Sequence, residues 1–295
     1  MTTVCVCRVT CVLARCTYAP PGMDVSGEVV AVGSAVRRFR VGDAAFGVLY
    51  FRTSGSFADF AVLDERSAAK KPSNLTFAEA ASLPIVALTG YQALRCVKAG
   101  ARVLVLGGAG GTGSIGLQLA KIMGASHCVA TCSERNVEFV REMGADAALD
   151  YGKQQWWEEL KGQQFDVVYD CVGHDDAWAH AQAVLKPSGH FATIVGRGGD
   201  AKMTVSALLS AGGQVMGRKI RHAFGSAPNF DIVLMDGFRS DHLDALAQLA
   251  EAGRLRPQVS GTLPMDQVPE MYRTVAKGHT RGKLVCAVTA RANEK

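Results

Sequence analysis

Gly107-Gly-Ala-Gly-Gly-Thr-Gly113 places Gly108, Gly110 and Gly113 at G-x-G-x-x-G spacing. In such a pattern one glycine turns the chain tightly, the next lets backbone come up against a phosphate, and the third lets the following helix pack on the preceding strand. The chemistry is anion binding: the free N–H groups at a helix start, here with Gly111 and Thr112, receive a dinucleotide pyrophosphate. In a chain with 32 glycines the spacing alone also fits a purely structural turn. The flanks argue for the nucleotide, because Val103 to Leu106 reads as a buried parallel strand and Ile115 to Met123 carries apolar residues at helical spacing, closed by Gly124.

A second group follows at Thr131-Cys-Ser-Glu-Arg135, the tip of the next predicted strand. Enzymes that use NAD usually carry an acid there for the ribose 2′-hydroxyl, whereas a 2′-phosphate needs space with hydroxyl or cationic partners. Ser133 offers a hydroxyl and Arg135 a guanidinium fork; Glu134 would repel the phosphate if it turned inward. The tip favours NADPH over NADH.

These residues need a frame. From Ala101 onward strand and helix patterns alternate: Val103 to Leu106, His127 to Thr131, Ala147 to Leu149, Phe165 to Asp170, Gly189 to Val195 and Gly213 to Ile220, with helices between them. That alternation predicts a doubly wound parallel sheet, with the loops after Leu106, Thr131, Asp170 and Val195 converging on one crevice. Upstream the pattern is mainly β, with strands over Val25 to Val32, Ala44 to Leu49 and Ser56 to Leu63. Thr76-Phe-Ala-Glu79 then reads as a capping box before a helix from Pro84 to Val97. The stretch from Met265 to Val288 predicts a short helix and a strand returning to the β-rich part.

At 48% hydrophobic and 20% charged, 295 residues suffice for two ordinary globular domains. No run nears the roughly 18 apolar residues that span a bilayer, so no membrane span is expected. The net charge of +5 suits anionic ligands, and no basic stretch with interleaved aromatics suggests nucleic acid. Nine scattered cysteines read as reduced thiols in an intracellular compartment. Cys5, Cys7, Cys11 and Cys16 lack the paired C-x2-C knuckles of common zinc sites, so no metal is expected. Residues 1–19 read as an edge strand or an unstructured leader.

Pro21-Gly-Met-Asp-Val-Ser-Gly-Glu28, Val41-Gly-Asp43, Leu88-Thr-Gly-Tyr-Gln-Ala-Leu94, the glycine loop, Asp170-Cys-Val-Gly173 and Arg281-Gly-Lys-Leu-Val285 together resemble the zinc-independent quinone oxidoreductase branch of the medium-chain dehydrogenases/reductases. The resemblance implies a Rossmann domain, residues 86–253, inserted in a β-rich GroES-like substrate domain, residues 1–85 plus 254–295. That domain reads as truncated at its amino terminus, because relatives carry roughly sixty residues before the Pro-Gly-Met-Asp turn. The zinc-dependent branch has Gly-His-Glu where this chain has Gly22-Met-Asp24. The resemblance further implies hydride transfer from NADPH to a quinone or to the β-carbon of an α,β-unsaturated carbonyl, a small apolar substrate. Ser133, Tyr151 and Lys283 would contact the adenosine phosphate or pyrophosphate, and Thr89, Val172, Gly173 and Gly196 would lie at the nicotinamide. Tyr50, in a pocket with Phe51 and Phe57, would donate to the developing enolate oxygen. A homodimer through Gly213 to Ile220 is expected, in the cytoplasm or alternatively in mitochondria. The alternative function is a nucleotide-binding scaffold without turnover, should the first strands be missing.

Overall fold

A computed structural model describes residues 21–49, 55–174, 176–195, 216–217, 221–223, 225, 227–278 and 280–288, together with the backbone of 3–7 and 10–11. Its contacts divide the chain into two compact units, 1–88 with 235–295, and 89–234.

The first unit is built on β1 (Thr3–Cys7), β2 (Thr10–Cys11), β3 (Asp24–Val32), β4 (Ala44–Val48), β5 (Phe60–Asp64) and β6 (Ala68–Lys70). Five of them form a sheet in the order β5-β1-β3-β4-β6. β1 is therefore an interior strand, antiparallel to β3 on one side and β5 on the other. This corrects the expectation of a leader or edge strand over residues 1–19. β1 and β2 thus supply strands of the β-rich unit before the Pro21-Gly22 turn. Val25 and Val29 of β3 and Leu63 of β5 point into a core that also holds Phe39, Phe57 and Met271. Alternation along each strand sends these residues inward while Val30, Val32, Phe60 and Val62 face out.

The helix α1 (Phe77–Ala81) starts on the predicted capping box: Thr76 Oγ1 accepts from Glu79 N–H at 3.2 Å, and Thr76 N–H donates to Glu79 Oε2 at 2.8 Å. α2 (Pro84–Ala93) opens with proline at its first position, where no intrahelical N–H is needed, and stops four residues short of the predicted end.

The second unit holds β7 (Arg102–Leu106), α3 (Gly111–Ile122), β8 (His127–Cys132), α4 (Val137–Glu142), β9 (Ala147–Asp150), α5 (Trp156–Glu159), β10 (Phe165–Asp170), α6 (Ala177–Ala181), β11 (Leu185–Thr193) and β12 (Asn229–Ile232). All of its pairings are parallel, in the order β12-β11-β10-β7-β8-β9. Renumbered within the unit this is 6-5-4-1-2-3, the dinucleotide-binding order with its switch point between β7 and β10. Leu104, Val168, Phe191 and Phe230 form the floor of its core.

The predicted strand Gly213 to Ile220 lies outside the described residues except for Met216 and Gly217, which are helical, and the strand beyond β11 is β12. The proposed dimer edge therefore has no strand among the described residues. The helix expected to reach Leu185 ends at Ala181, because β11 begins at Leu185.

Four further elements belong to the first unit: α7 (Ser240–Glu251), β13 (Val259–Pro264) with β14 (Lys283–Ala287), and α8 (Val268–Ala276). α7 was expected with the nucleotide-binding half, but it is tied to the β unit. Arg38 Nη2 reaches Asp244 Oδ2 at 2.5 Å while Arg38 Nη1 donates to the Glu65 and Ala68 carbonyls, and Asn74 Nδ2 donates to Ala250 O at 2.9 Å. Among the described residues no helix is long and apolar enough to cross a membrane.

Candidate functional site

The loops leaving β7, β8, β10 and β11 meet at the carboxyl ends of the parallel strands, and backbone bonds fix them to one another. Gly107 N–H donates to Thr131 Oγ1 at 2.9 Å and Gly108 N–H to Thr131 O at 2.9 Å. Thr131 is thus turned inward, holding the glycine loop rather than facing a ribose. Cys171 N–H donates to Leu106 O at 3.2 Å, and Ile194 N–H to Asp170 O at 3.1 Å.

Each glycine has a separate reason. Gly107 has φ +79°, which L-residues avoid. A Cβ on Gly108 would lie 2.8 Å from Ala130 Cβ, and one on Gly113 would lie 2.2 Å from Gly107 O. A Cβ on Gly116, one turn into α3, would lie 2.6 Å from Tyr169 Cε1. Gly110 differs: its φ of −72° suits any residue, and its Cβ would meet nothing closer than Gly107 O at 3.5 Å. Packing does not require glycine there, so the space it leaves open is a cradle that a Cβ would fill. Gly110 is also the cap of α3 and contributes no side-chain cap, so the N–H groups of Gly111, Thr112 and Gly113 open the helix without a side-chain acceptor from that residue. These residues fit a dinucleotide pyrophosphate.

Asp170 is the organiser of the opposite wall. It is buried, its Oδ1 accepts from Val172 N–H and Gly173 N–H at 3.0 Å each, and its Oδ2 accepts from Thr193 Oγ1 at 2.9 Å. Gly173 has φ +81°, and a Cβ there would collide with Val195 Cγ1 at 2.3 Å. Val172 is left 44% exposed, a large apolar side chain presented at the loop tip. Thr89 is buried on α2, whose Gly90 lets Leu119 of α3 approach.

At the β8 tip, Ser133 is half-buried and accepts from Asn136 Nδ2 at 3.0 Å, while Arg135 is exposed. Glu134 pairs with Lys153 at 2.5 Å, which neutralises the carboxylate that would oppose a 2′-phosphate. Tyr151 is exposed, and its N–H donates to Cys132 O at 3.1 Å. Sequence reasoning missed Lys153; its signal was a lysine two residues after Tyr151, just beyond the third strand of the half.

Of the remaining expected site residues, Tyr50, Phe51 and Gly196 lie outside the described residues, and Phe57 belongs to the core of the first unit rather than to an open pocket. Lys283 lies in that unit, largely buried, with Nζ 3.8 Å from Asp24 Oδ2. Asp24, from the Pro-Gly-Met-Asp turn, is fully buried; its Oδ1 accepts from Ile85 N–H at 2.7 Å at the start of α2, and its Oδ2 makes no hydrogen bond. Burial pushes the Asp24 carboxyl up to about 6, against the pull of Lys283 and the Ile85 N–H. The folded state therefore keeps a proton that the unfolded chain gives up near 3.8, so stability falls as pH rises from about 4 to 6 and levels off above. Asp24→Asn keeps the acceptor for Ile85 and is expected to abolish that slope, on the order of 3 kcal/mol. Urea titrations of both proteins at pH 4.5 and 7 check this; parallel pH profiles would refute it.

Two family profiles match the chain, one described as alcohol dehydrogenase GroES-like domain over residues 1–73 and one as zinc-binding dehydrogenase over residues 143–286. The chain is 34% identical over 281 residues to the mouse (Mus musculus) NAD(P)H oxidoreductase RTN4IP1, mitochondrial, covering 90% of this chain and 70% of that protein. It is 33% identical over 276 residues to the Arabidopsis thaliana NADPH-dependent alkenal/one oxidoreductase, chloroplastic, covering 90% of this chain and 63% of that protein. In structure it is similar to a quinone oxidoreductase from Coxiella burnetii at a TM-score of 0.79 and 25% identity, covering 98% of this chain and 91% of the other. Among the described residues, which do not include the side chains of Cys5, Cys7, Cys11 and Cys16, no group of three or more His, Cys, Asp or Glu could hold a metal.

Proposed function

The chain belongs to the quinone oxidoreductase branch of the medium-chain dehydrogenases/reductases, and from that premise we propose that it transfers hydride from NADPH to a quinone or to the β-carbon of an α,β-unsaturated carbonyl, without zinc. The observation that carries the reading is Gly110, whose missing side chain serves no packing need and leaves the phosphate cradle open. NADPH, when bound, supplies the hydride from its nicotinamide ring. The protein positions it. The N–H groups opening α3 bind the pyrophosphate, Arg135 and Ser133 face the 2′-phosphate, and Tyr151 flanks the adenosine. Asp170 holds the Val172-Gly173 backbone that, with Thr89 and Gly196, borders the nicotinamide. Tyr50 donates to the oxygen on which enolate charge develops, and a small apolar substrate fits this chemistry because position, not acid–base power, is what the site provides. The contact proposed for Lys283 is with the pyrophosphate region.

Oxidation of NADPH by a panel of quinones and 2-alkenals is the direct test, and absence of turnover above the uncatalysed rate would overturn the reading. Arg135→Ala is expected to weaken NADPH about tenfold and leave NADH nearly unchanged, the loss of one charge-assisted phosphate pair. Calorimetric titration with both cofactors checks it; equal losses for the two would place Arg135 away from the 2′-phosphate.

A further inference from the structure

At the amino ends of the parallel strands, opposite the glycine loop, the second unit contains a cavity of about 510 Å³. That volume lies within the roughly 300–1,000 Å³ of small-molecule sites. It is made by an irregularity in the sheet. Phe165 of β10 pairs with Leu185 of β11, but Val167 pairs with His190, so the single residue Asp166 stands opposite the four residues 186–189. The excess, Lys186-Pro-Ser-Gly189, bulges out at the cavity mouth. Gly189 allows the tight return, since a Cβ there would lie 2.9 Å from both Leu185 Cδ2 and Lys186 O. Bulges that re-aim side chains in this way are over-represented beside functional sites.

The lining is rich in donors. Lys98, Lys186, His190, His222 and Asn229 border the space, and Asp166 is its one carboxylate among the lining residues. Asp166 is already engaged twice, by Lys186 Nζ at 2.5 Å and by Arg102 N–H at 2.8 Å. His190 is held between Asn229 Nδ2 at 2.9 Å and Asp231 Oδ2 at 3.2 Å. His222 Nδ1 lies 3.0 Å from Ala227 O; a carbonyl only accepts, so Nδ1 carries the proton and Nε2 remains for another partner. Lys98 is exposed; its carbonyl accepts from Ala101 N–H at 3.0 Å, and its ammonium makes no hydrogen bond or ion pair to another described residue. Lys186 is balanced by Asp166 and His190 faces Asp231, so the donors left to a ligand are the Lys98 ammonium and His222 Nε2.

We propose that this cavity is a second ligand site, separate from the cofactor cradle, that takes a small metabolite bearing a phosphate monoester or a carboxylate, with Lys98 and His222 as its principal contacts. Calorimetry on the full chain with glucose 6-phosphate, succinate and neutral glucose, each with and without NADP+, tests it. At least one of the two anions is expected to bind with millimolar or better affinity, about −4 kcal/mol, with glucose silent and NADP+ without effect. A phosphate-only or a carboxylate-only response identifies the source of the anion. Lys98→Glu and His222→Gln, both on side chains that reach the surface, are each expected to weaken binding about tenfold or more while the melting temperature stays unchanged. The proposal is overturned if neither anion binds, if glucose binds equally well, if NADP+ displaces the anion into the account of the glycine cradle, or if neither substitution changes the affinity.

Discussion

Gly110→Ala is expected to weaken NADPH about a hundredfold while stability changes by no more than about 1 kcal/mol, the poorer helix cap offsetting the stiffer unfolded chain. Two charge-assisted hydrogen bonds to the pyrophosphate, at roughly 1.5 kcal/mol each, account for the loss. The small size of that change follows from the backbone: φ is −72° and a Cβ finds only Gly107 O at 3.5 Å, so alanine fits the folded chain and restricts the unfolded one. Gly113→Ala provides the contrast, because its Cβ would stand 2.2 Å from Gly107 O and something in the loop must move. That variant is expected to lose both cofactor binding and about 1–3 kcal/mol of stability. Cofactor titration and thermal melting on the two proteins separate the cases. Unimpaired NADPH binding by the Gly110 variant would remove the main support for the cradle.

Asp170→Ala is expected to cost about 3–5 kcal/mol, since it leaves the Val172 and Gly173 N–H groups and the Thr193 hydroxyl unpaired in a buried place. Asp170→Asn retains one acceptor oxygen and should recover part of the loss. Urea denaturation monitors both, and a cost under about 1 kcal/mol for the alanine variant would mean that the loop is held by other contacts.

The glycine loop, the strand at Phe165 to Asp170 and the capping box at Thr76 were legible because each is a local signal: a backbone demand, a continuous apolar run, a reciprocal pair three residues apart. The β8 tip was legible only in part. Thr131 and Ser133 are hydroxyls in either role, and nothing local says that Thr131 turns inward to Gly107. Nor could the sequence place Lys153 against Glu134, nineteen residues back, which offsets that carboxylate's charge. Asp24 was read as a motif residue; its burial and its bond to Ile85 N–H depend on a contact across sixty-one positions. β1 escaped because Thr-Val-Cys-Val-Cys is short and lies among cysteines and arginines, and only its partners at residues 28–32 and 60–64 make it a strand. The cavity under Lys186 depends on a register shift, which no pattern of residue types announces.

The interior position of β1 also sets an order of events during synthesis. This strand emerges before both of its partners, and Asp64, the end of the second, follows Cys7 by 57 positions. At about 5–20 residues per second the nascent chain carries an incompletely paired strand for roughly 3–11 seconds before both neighbours exist. During that interval its open N–H and C=O edge can pair with another chain. Of the three interior strands of that sheet, β1 thus waits through the longest stretch of chain for its second neighbour.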